Sequence, residues 1–410
     1  MSDFSEQLQK YAQLVIQKGC NLKPGQELLL RVSIDCVAFA RLLTQAAYDC
    51  GARHVTVNFN DEKISRMHYD NCALEVFEKI PEWVSLLNNS MAREGAAVLT
   101  VDSSDPMAMV GIDPAKPVAS TRAAHVACKE FFDAMDLGKI VWCIVGAASP
   151  DWAKHVFPQL PIEEATERLW EAIFKTVRLD TEDALAAWDA HRASFVARST
   201  WLNEQRFDQL RYNNSLGTNL TIGLNPGSIW KGGGDVLVDG TPFFPNMPTE
   251  EIFTVPDRLR ANGVVYSSLP LVHHGSLIDD FRLRFEDGRV VEHQARVGGD
   301  VLASIFSVDE NAVRLGEVAL VPYSSPIRET GILFFSTLYD ENASCHLAVG
   351  LGFPDCIEGG VCMSDDELLA AGVNKSATHV DFMIGTTDLN ITGIKADGSE
   401  VPIFINGEWA

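Results

Sequence analysis

Residues 27–59 read ELLLRVSIDCVAFARLLTQAAYDCGARHVTVNF and contain three segments of different periodicity. Residues 27–32 are a short apolar run, and residues 36–50 carry apolar side chains at helical spacing before Gly51. Residues 54–59 form a second short run. A strand, a helix and a second strand in this order predict a βαβ unit with two parallel strands.

The same alternation continues toward the middle of the chain. AAVLTV at 96–101 is followed by an amphipathic stretch at 120–135 and by the apolar run KIVWCIV at 139–145. A continuous apolar run is typical of a strand that is covered on both faces. Residues 161–207 contain little Gly or Pro and predict long helices. We therefore expect a first domain over residues 1–212, a parallel α/β/α sandwich that ends in long helices.

After Asn213 the sequence changes to short alternating segments separated by Gly, Asn and Asp turns. These segments are NLTIGL, DVLVDG, FRLRFEDGRVVEHQARV, EVALVP, ILFFSTLYDE, HVDFMIG and DGSEVPIFING. Such a pattern predicts strands and not helices. We therefore expect a second, mixed β domain over residues 213–410.

The charge balance excludes two classes of partner. The 410 residues include 33 basic and 56 acidic ones, which gives a formal net charge of −23. Such a chain is repelled by a nucleic-acid backbone and by an anionic membrane surface. We expect neither nucleic acid nor a membrane as a partner.

The cysteines indicate a reducing compartment. There are nine of them, they are scattered, and no two form a C-x-x-C pair. This usage is typical of free thiols and not of a disulfide framework or a thiolate zinc site. The N-terminus also lacks an apolar signal segment, and no apolar run is long enough to cross a bilayer. The expected location is the cytoplasm.

The segment THVDFMIG at 378–385 places two candidate metal ligands on one strand. His379 and Asp381 are two residues apart, so their side chains point to the same face of a strand. An imidazole nitrogen and a carboxylate oxygen on one rigid face can bind a divalent ion. The alternative is a surface pair or a simple hydrogen-bonded couple.

The segment YDENASCH at 339–346 combines acidic groups with an imidazole after an apolar run. Glu341 and His346 are candidate ligands because loops beyond core strands often hold functional groups. The alternative is a hydrated turn with a capping Asp or Asn. Cys345 is a weaker candidate nucleophile, since adjacent residues seldom face each other.

Two further carboxylates lie in apolar surroundings. Glu251 is the second acid of MPTEEIF, between prolines, and Glu317 lies within the apolar strand LGEVAL. A Glu that faces a core needs a partner or a metal ion. Otherwise Glu317 faces solvent or pairs with Arg314 or Arg328.

Together these segments resemble the M29 family of metallo-aminopeptidases, which includes the aminopeptidase T, AmpS and PepS types. The resemblance extends over essentially the whole chain. Its motifs are GIDPAKP from Gly111, WAKHVFP from Trp152, LGTNLTIGL from Leu216, NMPTEEIFTVPD from Asn246, LGEVALVP from Leu315, LYDENASCH from Leu338 and HVDFMIG from His379.

The resemblance implies a site for two divalent metal ions in the second domain. The expected ions are zinc or cobalt, with magnesium or manganese as alternatives. It implies six ligands, of which the first two are also the expected catalytic residues: Glu251, Glu317, Glu341, His346, His379 and Asp381. It also implies release of N-terminal amino acids from a peptide substrate by a water activated between the ions, and a homodimer.

One position departs from the family motif. A Gly-x-Ala-Tyr-Pro-like run in the family corresponds to GLGFP here, so Phe353 replaces a Tyr whose hydroxyl is proposed to stabilise the tetrahedral intermediate. Loss of one such donor costs roughly 10²–10³ in rate. Three alternatives stay open: Phe353 fills the space and shapes a different pocket, Tyr339 supplies a hydroxyl from another direction, or the chain is a peptidase-like protein with weakened activity.

A different class of enzyme is also consistent with part of this ligand set. His346, His379 and Asp381 form a 2-His-1-carboxylate set, the ligand type of mononuclear Fe(II) oxygenases. Relatives of the implied fold include ring-cleaving dioxygenases. In that alternative, Glu251, Glu317 and Glu341 have no function at the metal.

Overall fold

The computed structural model describes residues 2–273 and 275–410, and it divides into two compact units. The first unit contains the residues up to Asp189 together with Gly234–Thr249. The second unit contains Ala190–Gly233 and Glu250–Ala410. A functional division after residue 212 stays a prediction.

The helices have the following bounds. They are α1 (Ser2–Leu14), α2 (Val37–Asp49), α3 (Glu62–Asn71), α4 (Leu74–Phe77), α5 (Glu82–Arg93), α6 (Ala115–Ala127), α7 (Lys129–Asp136), α8 (Pro150–Val156), α9 (Ile162–Thr176), α10 (Ala184–Gln205), α11 (Gly299–Phe306), α12 (Pro326–Glu329), α13 (Thr337–Asp340) and α14 (Asp365–Ala370).

The strands alternate with these helices at first and then dominate. They are β1 (Glu27–Ser33), β2 (His54–Asn60), β3 (Ala97–Asp102), β4 (Trp142–Gly146), β5 (Phe207–Asn213), β6 (Asn219–Leu224), β7 (Lys231–Gly232), β8 (Asp235–Val236), β9 (Pro242–Phe243), β10 (Asn246–Met247), β11 (Ile252–Thr254), β12 (Pro256–Tyr266), β13 (Leu271–His273), β14 (Ser276–Glu286), β15 (Arg289–Val297), β16 (Leu315–Leu320), β17 (His346–Gly350), β18 (His379–Met383), β19 (Asn390–Lys395), β20 (Glu400–Ile405) and β21 (Glu408–Trp409).

The first unit is built on a parallel sheet with the strand order β10-β4-β3-β1-β2. Strand β1 pairs with β2 in parallel from Glu27↔His54 to Ser33↔Asn60, which confirms the predicted βαβ unit. Leu29 and Val98 pack with Phe131 of α7 in one buried cluster. The apolar runs are therefore strands whose side chains are covered by helices, as their composition predicts.

The second unit contains two antiparallel sheets that share one hydrophobic core. A five-stranded sheet has the order β18-β17-β16-β11-β7, and a larger sheet has the order β13-β14-β12-β6-β5-β19-β20-β21, with β15 beside β14. Leu210 and Ile222 of the larger sheet are buried in the same cluster as Val318 and Leu347 of the smaller one. The predicted fold class, an α/β half followed by a β-rich half, is confirmed.

One predicted strand is wrong. The segment ILFFSTLYDE at 332–341 does not pair with any strand of the described residues, and it ends in the short helix α13. Phe335 has φ 57°, in the left-handed region, which interrupts an extended chain. The buried Asp340 carboxylate accepts hydrogen bonds from the N–H groups of Phe334 (2.8 Å) and Ser336 (3.1 Å). A side chain thus satisfies donors that a sheet would otherwise need to pair.

Among the described residues, no helix combines the length and the apolar character that a transmembrane span requires.

Candidate metal centre

The candidate ligands lie on the face of the five-stranded sheet that is turned away from the core. Val318, Leu347 and Phe382 belong to the buried core cluster and stand side by side on β16, β17 and β18. Side chains alternate along a strand, so the preceding or following residue faces the other way. The neighbouring row on the opposite face is Glu317, Ala348 and Asp381.

The two histidines extend this row on the same face. His346 is two residues before Ala348 on β17, and His379 is two residues before Asp381 on β18. The Nε2 atom of His379 lies 3.2 Å from Oδ1 of Asp381, which confirms that this pair shares a face. Ala348, whose side chain is small, separates the carboxylates of Glu317 and Asp381 along the row.

Four interatomic distances define two overlapping clusters. In the first, Nε2 of His346 lies 3.1 Å from Oε2 of Glu251 and 3.8 Å from Oε1 of Glu317. In the second, Nε2 of His379 lies 3.3 Å from Oε2 of Glu317, beside Asp381. Each cluster offers three ligand atoms within 4.8 Å of one another. Glu317 directs one carboxylate oxygen into each cluster.

Glu317 does not lie on a solvent face, and no Arg among the described residues pairs with it. Its side chain is only 5 % exposed, and its recorded ion pairs within the described residues are with the two histidines. The alternative in which Arg314 or Arg328 neutralises it is therefore wrong. Arg314 donates instead to the backbone carbonyls of Arg258 and Asp287.

Glu251 reaches the first cluster because strand β11 pairs with β16. Ile252, the next residue, pairs with Leu320 and is buried in the core cluster. Glu251 therefore faces the opposite side, where Glu317 and His346 lie. On its other side β11 pairs with β7, at Ile252↔Gly232. A Cβ at Gly232 would lie 2.4 Å from the Glu251 carbonyl oxygen, so only glycine permits this approach.

Glu341 lies beside the two clusters, in the short 3₁₀ turn Glu341–Ala343. It is outside both sets of three ligand atoms, but its charge interacts with those of Glu251, Glu317 and Asp381. The structure thus brings five of the six predicted residues into the clusters and the sixth next to them.

Asn342 connects the segments that carry Glu251 and Glu341. Its side chain is fully buried, and Oδ1 accepts a hydrogen bond of 2.7 Å from the backbone N–H of Glu250. Its Nδ2 donates to Oε1 of Glu341 at 3.3 Å and to the carbonyl oxygen of Leu338 at 3.2 Å. One amide group therefore fixes two carboxylate-bearing segments that are distant in sequence.

Backbone carbonyls orient both imidazoles. Nδ1 of His346 lies 3.1 Å from the carbonyl oxygen of Ser344, and Nδ1 of His379 lies 2.8 Å from that of Leu351. Because a carbonyl can only accept, each Nδ1 carries a proton and each Nε2 faces the carboxylates. This is the orientation that histidine ligands of metal ions commonly have.

A β-bulge at Gly316 makes room for one of these carbonyls. The pairing of β16 with β17 shifts between Leu315↔Val349 and Glu317↔Ala348. A Cβ on Gly316 would lie 2.2 Å from the carbonyl oxygen of Leu351, the acceptor for His379. Glycine is therefore required here so that the carbonyl can approach the strand and hold the imidazole.

The carboxylates repel one another at close range. Burial above all, together with the charges of Glu251 and Asp381, raises the pKa of Glu317 to about 7, although the hydrogen bond from His379 opposes this shift. The pKa of Glu341 is raised well above its usual range, first by burial and then by Glu251 and Asp381.

The same carboxylates favour the charged form of the two imidazoles. Burial lowers the pKa of His346, but its bond to Glu251 and the nearby carboxylates outweigh burial and raise that pKa to about 10. For His379, burial is likewise outweighed by Asp381 and Glu317, which raise the pKa to about 11. Burial opposes ionisation of Asp381, yet the His379 hydrogen bond and charge keep the pKa of Asp381 below its usual value.

This set of residues fits divalent cations. Four carboxylates converge with two imidazoles, and the ion pairs recorded for three of these carboxylates in the described part of the chain involve the two histidines. Oxygen and imidazole ligands without thiolate suit hydrolytic metals. Bound cations would relieve the repulsion that raises the pKa values of Glu317 and Glu341.

The other candidate groups of this region do not take part in the clusters. Cys345 is buried, its Sγ donates to the carbonyl oxygen of Val321 at 3.2 Å, and burial raises the pKa of its thiol to about 12. It is therefore no nucleophile. Tyr339 is fully buried and stacks on Phe334 with ring centroids 4.5 Å apart. A catalytic role of its hydroxyl stays a prediction.

Asn342, Gly316 and Ala348 were not predicted as site residues. Asn342 and Gly316 lie next to predicted ligands in sequence, which was the only available signal. Their functions depend on contacts with segments that the sequence does not connect to them, such as the Leu351 carbonyl and the Glu250 N–H.

The chain is similar to known proteins over its whole length. Residues 4–409 match the family model described as thermophilic metalloprotease (M29). Aminopeptidase AmpS of Bacillus subtilis (strain 168) is 44 % identical over 410 residues, covering 100 % of both chains. Aminopeptidase T of Thermus thermophilus is 41 % identical over 409 residues, again covering 100 % of both chains.

Solved structures are also similar to this fold. Wild-type AmpT from Thermus thermophilus has a TM-score of 0.91 at 40 % identity and covers 99 % of this chain and 100 % of its own. The 2,5-dihydroxypyridine dioxygenase from Pseudomonas putida KT2440 has a TM-score of 0.51 at 13 % identity and covers 99 % and 97 %. The second likeness concerns the fold alone.

Proposed function

This chain belongs to the M29 family of metalloproteases and is a metal-dependent aminopeptidase, and we propose that its hydrolysis uses two divalent ions. The observation that carries this proposal is the position of Glu317. Its two oxygens point into different clusters, each of which has its own imidazole and its own second carboxylate. A shared carboxylate of this kind suits two adjacent ions better than one.

The proposed ligands are the six carboxylate and imidazole residues of the sheet face and its adjoining turn. They are Glu251, Glu317, Glu341, His346, His379 and Asp381. When bound, two such ions polarise a carbonyl and lower the pKa of a water molecule. Glu251 and Glu317 are the proposed catalytic residues.

The residues of this chain supply position and charge. The Ser344 and Leu351 carbonyls hold both Nε2 atoms toward the carboxylates, and Asn342 holds Glu341 in place. The group of carboxylates attracts the protonated α-amine of a peptide, whereas an internal residue has no such charge. This attraction supports release of the first residue only.

Metal removal tests the proposal. Protein stripped with a chelator should release no leucine from leucine amide, and zinc or cobalt should restore release, with about two ions bound per chain. The variant His346→Gln should lose metal, whereas His293→Gln, in strand β15 of the same unit, should keep it. Full activity in excess chelator would exclude the proposal.

The single-iron alternative gains no support from the geometry. His346 and His379 fall into different clusters, whereas a 2-His-1-carboxylate site needs both on one ion. A count of one iron per chain, with no release from amides, would favour an oxygenase instead.

We also propose a homodimer in the cytoplasm, with residues 213–410 as the catalytic domain. All nine cysteines are free thiols, which supports a reducing compartment. Sedimentation that detects only the single-chain species would contradict the dimer.

A further inference from the structure

Two aromatic side chains lie on the same sheet face as the metal centre. Phe253 is two residues after Glu251, and Ile252 between them is buried in the core, so Phe253 faces the ligand side. Phe353, in the turn after β17, contacts Phe253 edge to face with ring centroids 6.2 Å apart. The Phe353 ring also lies 4.8 Å from the imidazole ring of His379.

These two rings, Phe253 and Phe353, form what we call the aromatic shelf. Both are only partly buried, and their inner sides pack on a compact apolar cluster. The buried members of that cluster are Val255, Cys356, Ile357, Leu368 and Val373. Because the rings are packed against this cluster on one side, the aromatic shelf presents a fixed apolar surface next to His379.

The ion pair of Lys231 and Asp355 lies next to the aromatic shelf. Lys231 on β7 is the cross-strand neighbour of Phe253, so both side chains lie on one face. Its Nζ lies 2.7 Å from Oδ2 of Asp355, two residues after Phe353. The opposite charges of Lys231 and Asp355 offset each other, and the shelf between this pair and His379 is apolar.

We propose that the aromatic shelf binds the side chain of the N-terminal residue of the peptide and selects apolar side chains. This inference rests on the proposed function, which places the α-amine of the substrate at the carboxylates beside His379. The first side chain then meets the adjacent surface, where Phe353 is in contact with His379. An acidic side chain gains no apolar contact there and is repelled by the carboxylates.

Binding of free amino acids to the zinc-loaded full chain tests the shelf directly. Calorimetry should show that L-leucine binds about tenfold more tightly than L-alanine, because three further carbon atoms leave water on a partly open surface. L-glutamate should bind more weakly than either. Equal affinities for leucine, alanine and glutamate would overturn the proposal.

Variants of Phe353 test whether this ring produces the preference for leucine. Phe353→Ala should bring the affinity for L-leucine to within about twofold of that for L-alanine, while Phe353→Leu retains the preference. Phe306→Ala is the matched control, since Phe306 is a partly buried Phe packed on the other core cluster of this unit. It should lose stability without changing the preference. If Phe353→Ala does not fold, Phe253→Ala tests the second ring in the same way.

Measurements of turnover distinguish a failure of this inference from a failure of the proposed function. The ratio of kcat/KM for leucine amide to that for alanine amide should fall about tenfold in Phe353→Ala. An equal loss for both amides, with an unchanged preference in binding, would overturn the shelf alone. Absence of release from every amide, with the leucine preference intact in binding, would overturn the proposed function and leave the shelf in place.

Discussion

Zinc loading of the metal-free chain is expected to release at least two protons per chain at pH 8, one from each imidazole. The carboxylates around His346 and His379 raise the pKa values of these imidazoles to about 10 and about 11, so both rings are protonated at that pH. An imidazole must be neutral at the ligating nitrogen, and each bound ion therefore displaces one proton. An imidazole with the ordinary pKa of about 6.5 would release almost none at pH 8.

The sign of the pH dependence follows from this competition. The two imidazole protons alone should make the apparent constant for binding two zinc ions rise by about two decades per pH unit between pH 8 and pH 9, or about 2.7 kcal/mol. Below pH 7 the dependence should steepen, because Glu317, whose pKa is raised to about 7, then binds a further proton. In the metal-free fold, the raised imidazole pKa values stabilise the chain fully below pH 6.5, and this stabilisation is lost as pH rises through 10 to 11.

Calorimetry in buffers with different ionisation enthalpies measures this proton release. The variant His379→Gln should release about one proton fewer than the parent, and His293→Gln should release the same number as the parent. Release of fewer than one proton at pH 8 in the parent chain would refute the reasoning, since it would mean that the carboxylates do not hold protons on the imidazoles.

Three substitutions test the surroundings of the centre. Asn342→Ala should lower zinc affinity roughly 10–100-fold, measured by calorimetry, and the free energy of unfolding by about 1–3 kcal/mol, measured by denaturation. The control Asn203→Ala, which loses two hydrogen bonds to the Trp230 backbone, should lower the free energy of unfolding without changing zinc affinity. Gly316→Ala should lower zinc affinity roughly 10–100-fold, whereas Gly299→Ala, where a Cβ meets open space, should leave it unchanged. If Gly316→Ala binds zinc as tightly as the parent chain, the bulge does not position His379 for metal binding. Phe353→Tyr keeps the ring and adds a donor, so kcat should rise by up to about 10²-fold with the leucine preference unchanged; an unchanged kcat would mean that this chain does not need that hydroxyl.

Much of the fold was predictable because periodicity reports burial. The runs that became β1, β3 and β4 are apolar because helices cover the sheet, whereas the edge strand β2 is largely exposed. The alternating segments of the second half became antiparallel strands. The failure at 332–341 has a local cause. The composition of that segment is typical of a strand, but the carboxylate of Asp340 satisfies its backbone donors, and composition alone does not reveal this contact.

The ligand set was predicted only in part from chemistry. The spacing of His379 and Asp381 on one strand indicated a shared face, which the structure confirms. For Glu317 the sequence left solvent exposure or an Arg partner open, because nothing in LGEVAL reveals which strands flank it. The resemblance to a family supplied the remaining ligands, but not the contacts of Asn342 or of the Leu351 carbonyl, since these depend on side-chain packing between distant segments.

All six proposed ligands belong to the second unit, and this has a thermodynamic consequence. An ion that binds only the folded form adds its binding free energy to the stability of the unit that holds it, about 2.7 kcal/mol at a concentration of 100 times Kd. Calorimetric melting should therefore show that zinc raises the transition of the β-rich unit and that a chelator lowers it.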